Sequence, residues 1–293
     1  MGGLLNILCY LLQFGVLLLC AVPAGAQETT VKAQVNVPYI VQFGFGSYSV
    51  GGMITDTYRL PVAHTFQLGE AQNDWQLRLT AYLGYSHVDF ETRVLGPKLT
   101  ASQDYLFVLP QAELLIPLQS RWTIKPYLAL GSGYGFNGNV QLEGYGQGAL
   151  DDGFDLLYAV GISTLYEQPF QGLTASLGSR LGWAGEMLTD GGAEQSFATF
   201  QIGAEIRHPL GFSVLGKQID LAESFVYYHF FPAAEFSIPG EQPLKVSHQY
   251  EFGATIGMTK PSKLWIFEDP RVGASYRFGD GMTGFRLSLG FPF

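Results

Sequence analysis

Apolar and polar residues alternate with a period of two, and the pattern recurs from about residue 37 to the end of the chain. The last segment carries it most plainly. Phe285, Leu287, Leu289, Phe291 and Phe293 fall on one side, with Arg286, Ser288, Gly290 and Pro292 on the other. Trp75, Leu77, Leu79, Ala81, Leu83 and Tyr85 likewise oppose Gln76, Arg78, Thr80, Tyr82, Gly84 and Ser86, and 200–206, 250–258 and 272–278 repeat the arrangement. Successive side chains of a strand point to opposite faces, so each segment reads as a strand with one apolar and one polar face. Breaks at turn residues predict about twelve strands, over 37–50, 53–68, 75–88, 104–118, 121–136, 154–166, 172–185, 196–207, 216–231, 245–258, 270–278 and 283–293.

The composition of the polar face decides what the apolar face touches. It is mostly Gly, Ser, Thr and Gln with isolated charges, whereas a soluble β-sandwich charges its outward face heavily. Only 14% of the chain is charged, against about 25% for a soluble domain, while 14% is aromatic and glycines number 37. The fold class predicted is all-β: a transmembrane antiparallel β-barrel, lipid outside and lumen inside. An even strand count puts both ends on the periplasmic side, with short inner turns at 69–74, 119–120 and 167–171 and longer outer loops at 89–103, 137–153, 186–195 and 232–244. The long connection 259–269 is an exception. Trp75, Trp122 and Tyr166 then fall at inner strand ends and Tyr85, Tyr134 and Trp183 near outer ends, where aromatic girdles belong. Pro61, Pro110 and Pro126 each remove a ladder donor, so bulges or strand breaks are expected there.

Before the alternating region, residues 4–22 are apolar apart from Asn6 and Gln13, and Ala24-Gly25-Ala26 offers a small-x-small cleavage pattern. Residues 1–26 therefore read as a signal peptide, 27–36 as a short periplasmic segment and 37–293 as the barrel. Both cysteines, Cys9 and Cys20, fall in the removed segment, which excludes a disulfide framework, thiolate metal ligands and a Cys nucleophile. The net charge of −9 argues against a nucleic-acid partner, because phosphate binding needs a basic stripe.

The tail Arg271-Val272-Gly273-Ala274-Ser275-Tyr276-Arg277-Phe278-Gly279-Asp280-Gly281 and the closing Gly290-Phe291-Pro292-Phe293 resemble the solitary autotransporter-like barrels of Gram-negative bacteria. Leu109-Pro110-Gln111-Ala112-Glu113-Leu114 and Trp122-Thr123-Ile124-Lys125-Pro126-Tyr127 are similar to their middle portion. The resemblance implies a twelve-stranded barrel without the secreted passenger of true autotransporters; the alternating pattern itself reads as a monomer in contact with outer-membrane lipids. Only about ten residues separate Gln27 from the first strand, so neither a passenger nor a pore-filling helix fits there. The terminal strand resembles the recognition signal read by the barrel-assembly machinery, with Phe293 as anchor and Phe285, Leu287, Leu289 and Phe291 as its supporting face. The family has no well-defined activity.

Candidate chemistry is sparse. Outer-membrane lipid hydrolases use a Ser/His pair near the outer rim, but Ser86-His87 and Ser247-His248 are adjacent in extended segments and point to opposite faces. His64 falls on the predicted lipid face, and His208 and His229 have no Ser or acidic neighbour at useful spacing. No enzyme, cofactor or metal is expected. The outer loop Asp151-Asp152-Gly153-Phe154-Asp155 has the carboxylates for calcium without a full ligand spacing, and reads as a solvated acidic loop continuing the flexible Gly144, Gly146 and Gly148 stretch. Parity points Arg78, Lys125, Arg180, Glu205, Arg207, Glu251, Arg277 and Arg286 into the lumen, with Glu113 beside them. Basic groups exceed acidic ones in that set. The expected role is structural or passive, through a narrow or plugged pore; a small-solute channel selective through these arginines and a lipid-modifying enzyme are the alternatives.

Overall fold

The computed structural model describes residues 44–68, 74–93, 98–144, 146–149, 152–188, 195–214, 216–236, 244–259, 263–264, 267–268 and 271–293, which belong to one compact unit. The signal peptide, the segment 27–36 and residues 37–43 of the expected first strand lie outside the described residues. Twelve strands form the barrel wall: β1 (Phe45–Val50), β2 (Met53–Gln67), β3 (Gln76–Arg93), β4 (Lys98–Gln119), β5 (Trp122–Leu142), β6 (Gly153–Phe170), β7 (Leu173–Leu188), β8 (Gln195–Val214), β9 (Lys217–Phe236), β10 (Leu244–Met258), β11 (Arg271–Gly279) and β12 (Met282–Ser288). Each pairs antiparallel with its sequence neighbours, and β12 pairs with β1 from Phe45↔Leu287 to Val50↔Met282, which closes the sheet. Closure leaves no edge, and a strand structure in lipid needs that, since an unpaired backbone amide has no water to bond. The short strand Gly146–Ala149 folds back onto the outer end of β5, and Lys263–Leu264 pairs with Phe267–Glu268 in the inner connection between β10 and β11.

The ladder register fixes the geometry of the cylinder. Cross-strand partners followed from Trp122 run through Tyr166, Leu177, Ala204, Phe225, Phe252 and Tyr276 to Phe285. From there they pass through Ser47, Asp56, His87 and Asp104 and return to β5 at Phe136. One circuit therefore advances from position 122 to position 136, a stagger of fourteen residues over twelve strands. With about 3.3 Å of rise per residue and about 4.8 Å between strands, that stagger tilts the strands roughly 40° from the barrel axis.

Alternation sorts the side chains as the period of two predicts. Leu128, Leu130, Phe252 and Phe285 stand outward, 61%, 57%, 56% and 70% exposed, while inward neighbours such as Ala129, Thr57, Ser275 and Arg277 are buried. Such a wall, apolar outside and polar or small within, is built for a bilayer. His64 faces outward, its ring edge-on to Phe66 at 4.4 Å.

Three sequence expectations need correction. Paired strands run further outward than the loops drawn from composition: β3 and β4 stay in register to Arg93↔Lys98, which leaves only 94–97 of the expected loop 89–103 as a connection. Cross-strand bonds hold these polar residues extended, helped by the Glu91–Lys98 ion pair at 2.9 Å. Pro61, Pro110 and Pro126 lie within strands whose register does not shift beside them; the shifts fall at 102–104, 117–119, 218–220 and 229–234. The β4–β5 ladder does lapse at 109–110 and at 114–115, at Pro110 and across from Pro126, and then resumes in the same register, because a proline removes a donor without adding a residue. Finally, the last strand stops at Ser288. Gly290 has φ 126°, a conformation closed to L side chains, and there the chain leaves the wall and turns into the lumen. Phe285 and Leu287 stay on the outer wall and Leu289 remains exposed, but Phe291 and Phe293 pack inside.

Candidate functional site

Among the described residues, the lumen is the one place where charged side chains are gathered and buried. Glu251, projecting from β10, receives Arg277 Nη2 at 2.8 Å, Arg277 Nε at 3.0 Å, Arg286 Nη2 at 2.9 Å and the Tyr228 hydroxyl at 2.9 Å. The Arg277 guanidinium also lies 4.1 Å over the Tyr228 ring. Toward the inner strand ends, Arg207 pairs with Glu167 and with Glu205 at 3.1 Å, and Arg271 reaches Asp220 at 2.5 Å and Thr255 at 3.2 Å. Arg78 meets Glu113 at 3.6 Å and Thr65 at 3.3 Å, and Lys125 is buried under the influence of the same Glu113. Arg180 donates to the Pro292 carbonyl at 2.7 Å and faces the rings of Tyr127 and Phe293 at 5.4 and 6.0 Å.

The eight charges read from parity thus all lie on the inward face, in three separate networks, with Arg180 apart on the tail. Sequence reasoning missed Arg59, which lies 4.8 Å over Tyr82, and Arg271, together with Asp155, Glu167, Glu186 and Asp220. Extending the period of two into β2, β6, β9 and the ends of β7 and β11 finds each of them. With these residues the described lumen holds eight basic groups, raised from six, and seven carboxylates, raised from three with Glu113. The excess of basic groups that suggested an anion eyelet shrinks to one.

Above these networks, apart from Asp155 and Glu186, the lumen is largely apolar. Tyr48, Val50, Met53, Val88, Ala184, Phe197, Val226, Phe230 and Met282 form one buried cluster drawn from strands on opposite sides of the barrel, and Phe293 belongs to it. A second cluster, Tyr105, Phe107, Leu109, Ala129 and Leu157, adjoins it through Ala159. Inward glycines make room for these rings. A Cβ on Gly84 would overlap Phe107, one on Gly133 would overlap Tyr105, and one on Gly178 or Gly203 would overlap Phe293. Gly178 and Gly203 are direct cross-strand partners, so together they form a notch in the wall that holds the final ring.

The histidines form no Ser/His pair among the described residues. Ser86 points inward to Thr57 Oγ1 at 3.0 Å, whereas His87 points outward with Nδ1 2.7 Å from Asp104 and Nε2 3.2 Å from Asp89. Asp104 also accepts from Tyr85 at 2.5 Å and Asn137 at 2.9 Å. With a carboxylate on each ring nitrogen, His87 has no free nitrogen to take a proton from a nucleophile. His248 contacts Tyr227 and His229, and His208 contacts Glu223 at 3.5 Å.

No family model and no curated protein matches the sequence. Among solved structures, the translocator domain of the autotransporter NalP from Neisseria meningitidis aligns over 85% of this chain and 85% of its own, with a TM-score of 0.55 at 12% identity. The β domain of the Bordetella autotransporter BrkA aligns over 83% of this chain and 91% of its own, with a TM-score of 0.49 at 11% identity. The likeness to the first is one of fold. Taken with the closed twelve-stranded sheet, it shows that this chain folds as a β-barrel like that of an autotransporter translocator domain.

Proposed function

We propose that the barrel is a closed, passive component of the outer membrane, with no solute passage at rest, no polypeptide export and no covalent chemistry. One observation carries this reading: the apolar cluster that includes Phe293 draws its members from β1, β2, β3 and β12 on one side and from β7, β8, β9 and β10 on the other. A barrel of twelve strands stands between small filled barrels and open porins, so its side chains decide whether it conducts. Here rings seated on glycines and paired charges occupy the lumen. The near balance of basic and acidic groups weakens the anion-selective alternative, and the doubly held imidazole of His87 weakens the hydrolytic one. The exposed apolar wall fits a monomer whose partners are outer-membrane lipids and, during biogenesis, the assembly machinery.

Planar-bilayer recording of the purified, folded chain tests the reading. The expected record has no resolved unitary steps at about 100 mV, a bias worth roughly 2.3 kcal/mol per charge. Regular steps whose selectivity reverses on Arg78→Glu or Arg286→Glu mean that the protein is a channel.

A further inference from the structure

Near the outer strand ends, the register lines up four oxygen-bearing side chains on the inward face. Gly133 is paired with Asp155, and because it has no side chain, the Tyr105 ring lies across it from β4 and donates its hydroxyl to Asp155 Oδ2 at 3.0 Å. Asp155 pairs with Leu188 and the next inward residue, Leu157, pairs with Glu186, which makes the two carboxylates diagonal neighbours. Gln195 is the direct cross-strand partner of Glu186. The surroundings are dry: Leu157, Ala184 and Phe197 are all buried.

Two atoms of this row are left over. Glu186 is 1% exposed, and its Oε2 has neither a hydrogen-bond donor nor water-accessible surface; the same holds for Oε1 of its cross-strand partner Gln195. Among the described residues the charge that acts on Glu186 is Asp155, of the same sign. A carboxylate buried beside another of the same sign resists ionisation, and a buried acceptor without a donor is destabilising. The donor set is all oxygen, with two carboxylates, an amide carbonyl and a phenol, and hard cations select such a set over nitrogen- or sulfur-seeking metals. Asp152, which the sequence places in the same acidic stretch, lies apart from this row; it is exposed and bonds to Tyr134 at 3.3 Å.

We infer that Asp155, Glu186 and Gln195 form a binding site for a hard divalent cation of calcium's size beneath the outer mouth of the barrel. The carboxylates supply two negative charges against the ion's two positive ones. The orphaned oxygens of Glu186 and Gln195 become ligands, and Tyr105 holds Asp155 in place. A filled site ties β6, β7 and β8 together across the inner face.

Calcium chloride and terbium are the probes, with the folded full-length chain in detergent micelles. Terbium luminescence sensitised through Tyr105 is expected in the wild type and is displaced by calcium. Glu186→Gln weakens terbium binding at least tenfold, whereas Asp152→Asn leaves it unchanged. The melting temperature of the wild type rises with calcium and falls with EDTA, and that of Glu186→Gln responds to neither. Retention of heat-modifiable gel mobility shows that Glu186→Gln still folds. The inference is overturned if wild-type melting ignores calcium, because the pair then holds only a proton. It is equally overturned if terbium binding survives Glu186→Gln and disappears with Asp152→Asn.

Discussion

At the residue scale, Glu251 is the charge on which most depends. It is buried and accepts from two arginines at once, Arg277 and Arg286. Removing one member of a buried ion network costs about 3–5 kcal/mol, mainly through the partners left behind. Glu251→Gln is therefore expected to lower unfolding stability in urea by roughly that amount, with Glu251→Gln/Arg277→Met recovering part of it. Equal stability of the single variant and the wild type would mean that water in the lumen solvates both arginines. Phe293 makes the second residue-scale prediction. Cys9 and Cys20 both precede the barrel, so in a chain that starts at Gln27 Pro292→Cys supplies a single thiol. It should react slowly with a bulky maleimide, and tenfold or more faster once Gly178→Val fills the notch. Labelling at one rate in both backgrounds would place the tail outside the lumen. The inward parity of Arg277 and Glu251 was legible in the sequence. Which acid meets which base was not, because pairing depends on register between strands distant along the chain.

At the scale of strands, the alternation located every member of the wall to within a few residues where it was regular, as in β10, expected at 245–258 and found at Leu244–Met258. It failed at the ends. β3, β4 and β5 continue through polar residues that composition assigns to loops, because a neighbouring strand satisfies their amides whatever the side chains are. In β12 the apolar period runs on to Phe293 although the strand does not. Gly290 turns the chain inward, and two glycines on β7 and β8 receive the terminal ring. The fourteen-residue stagger predicts a mean strand tilt of roughly 40°, measurable by polarised infrared spectroscopy on oriented bilayers. A tilt below about 30° lies outside the range of outer-membrane barrels and contradicts the register.

For the whole molecule, the outward wall and the closed lumen are separate claims with separate tests. Leu130→Arg places a charge on the lipid face and is expected to cost up to about 2–4 kcal/mol if it lies at mid-bilayer depth, read as a shifted unfolding midpoint in lipid vesicles. Unchanged stability would mean that this face does not meet hydrocarbon. Local physics determined the barrel itself: a period of two, few charges and many aromatics allow one face to meet lipid, and that is written residue by residue along the chain. Whether the cylinder is open depended on side chains from opposite walls meeting at its centre, on aromatic rings finding glycines one or two strands away, and on a tail that folds back inside. Contacts of that kind join residues far apart along the chain, 112 positions for Arg180 and Pro292, and they exist only after the sheet has closed.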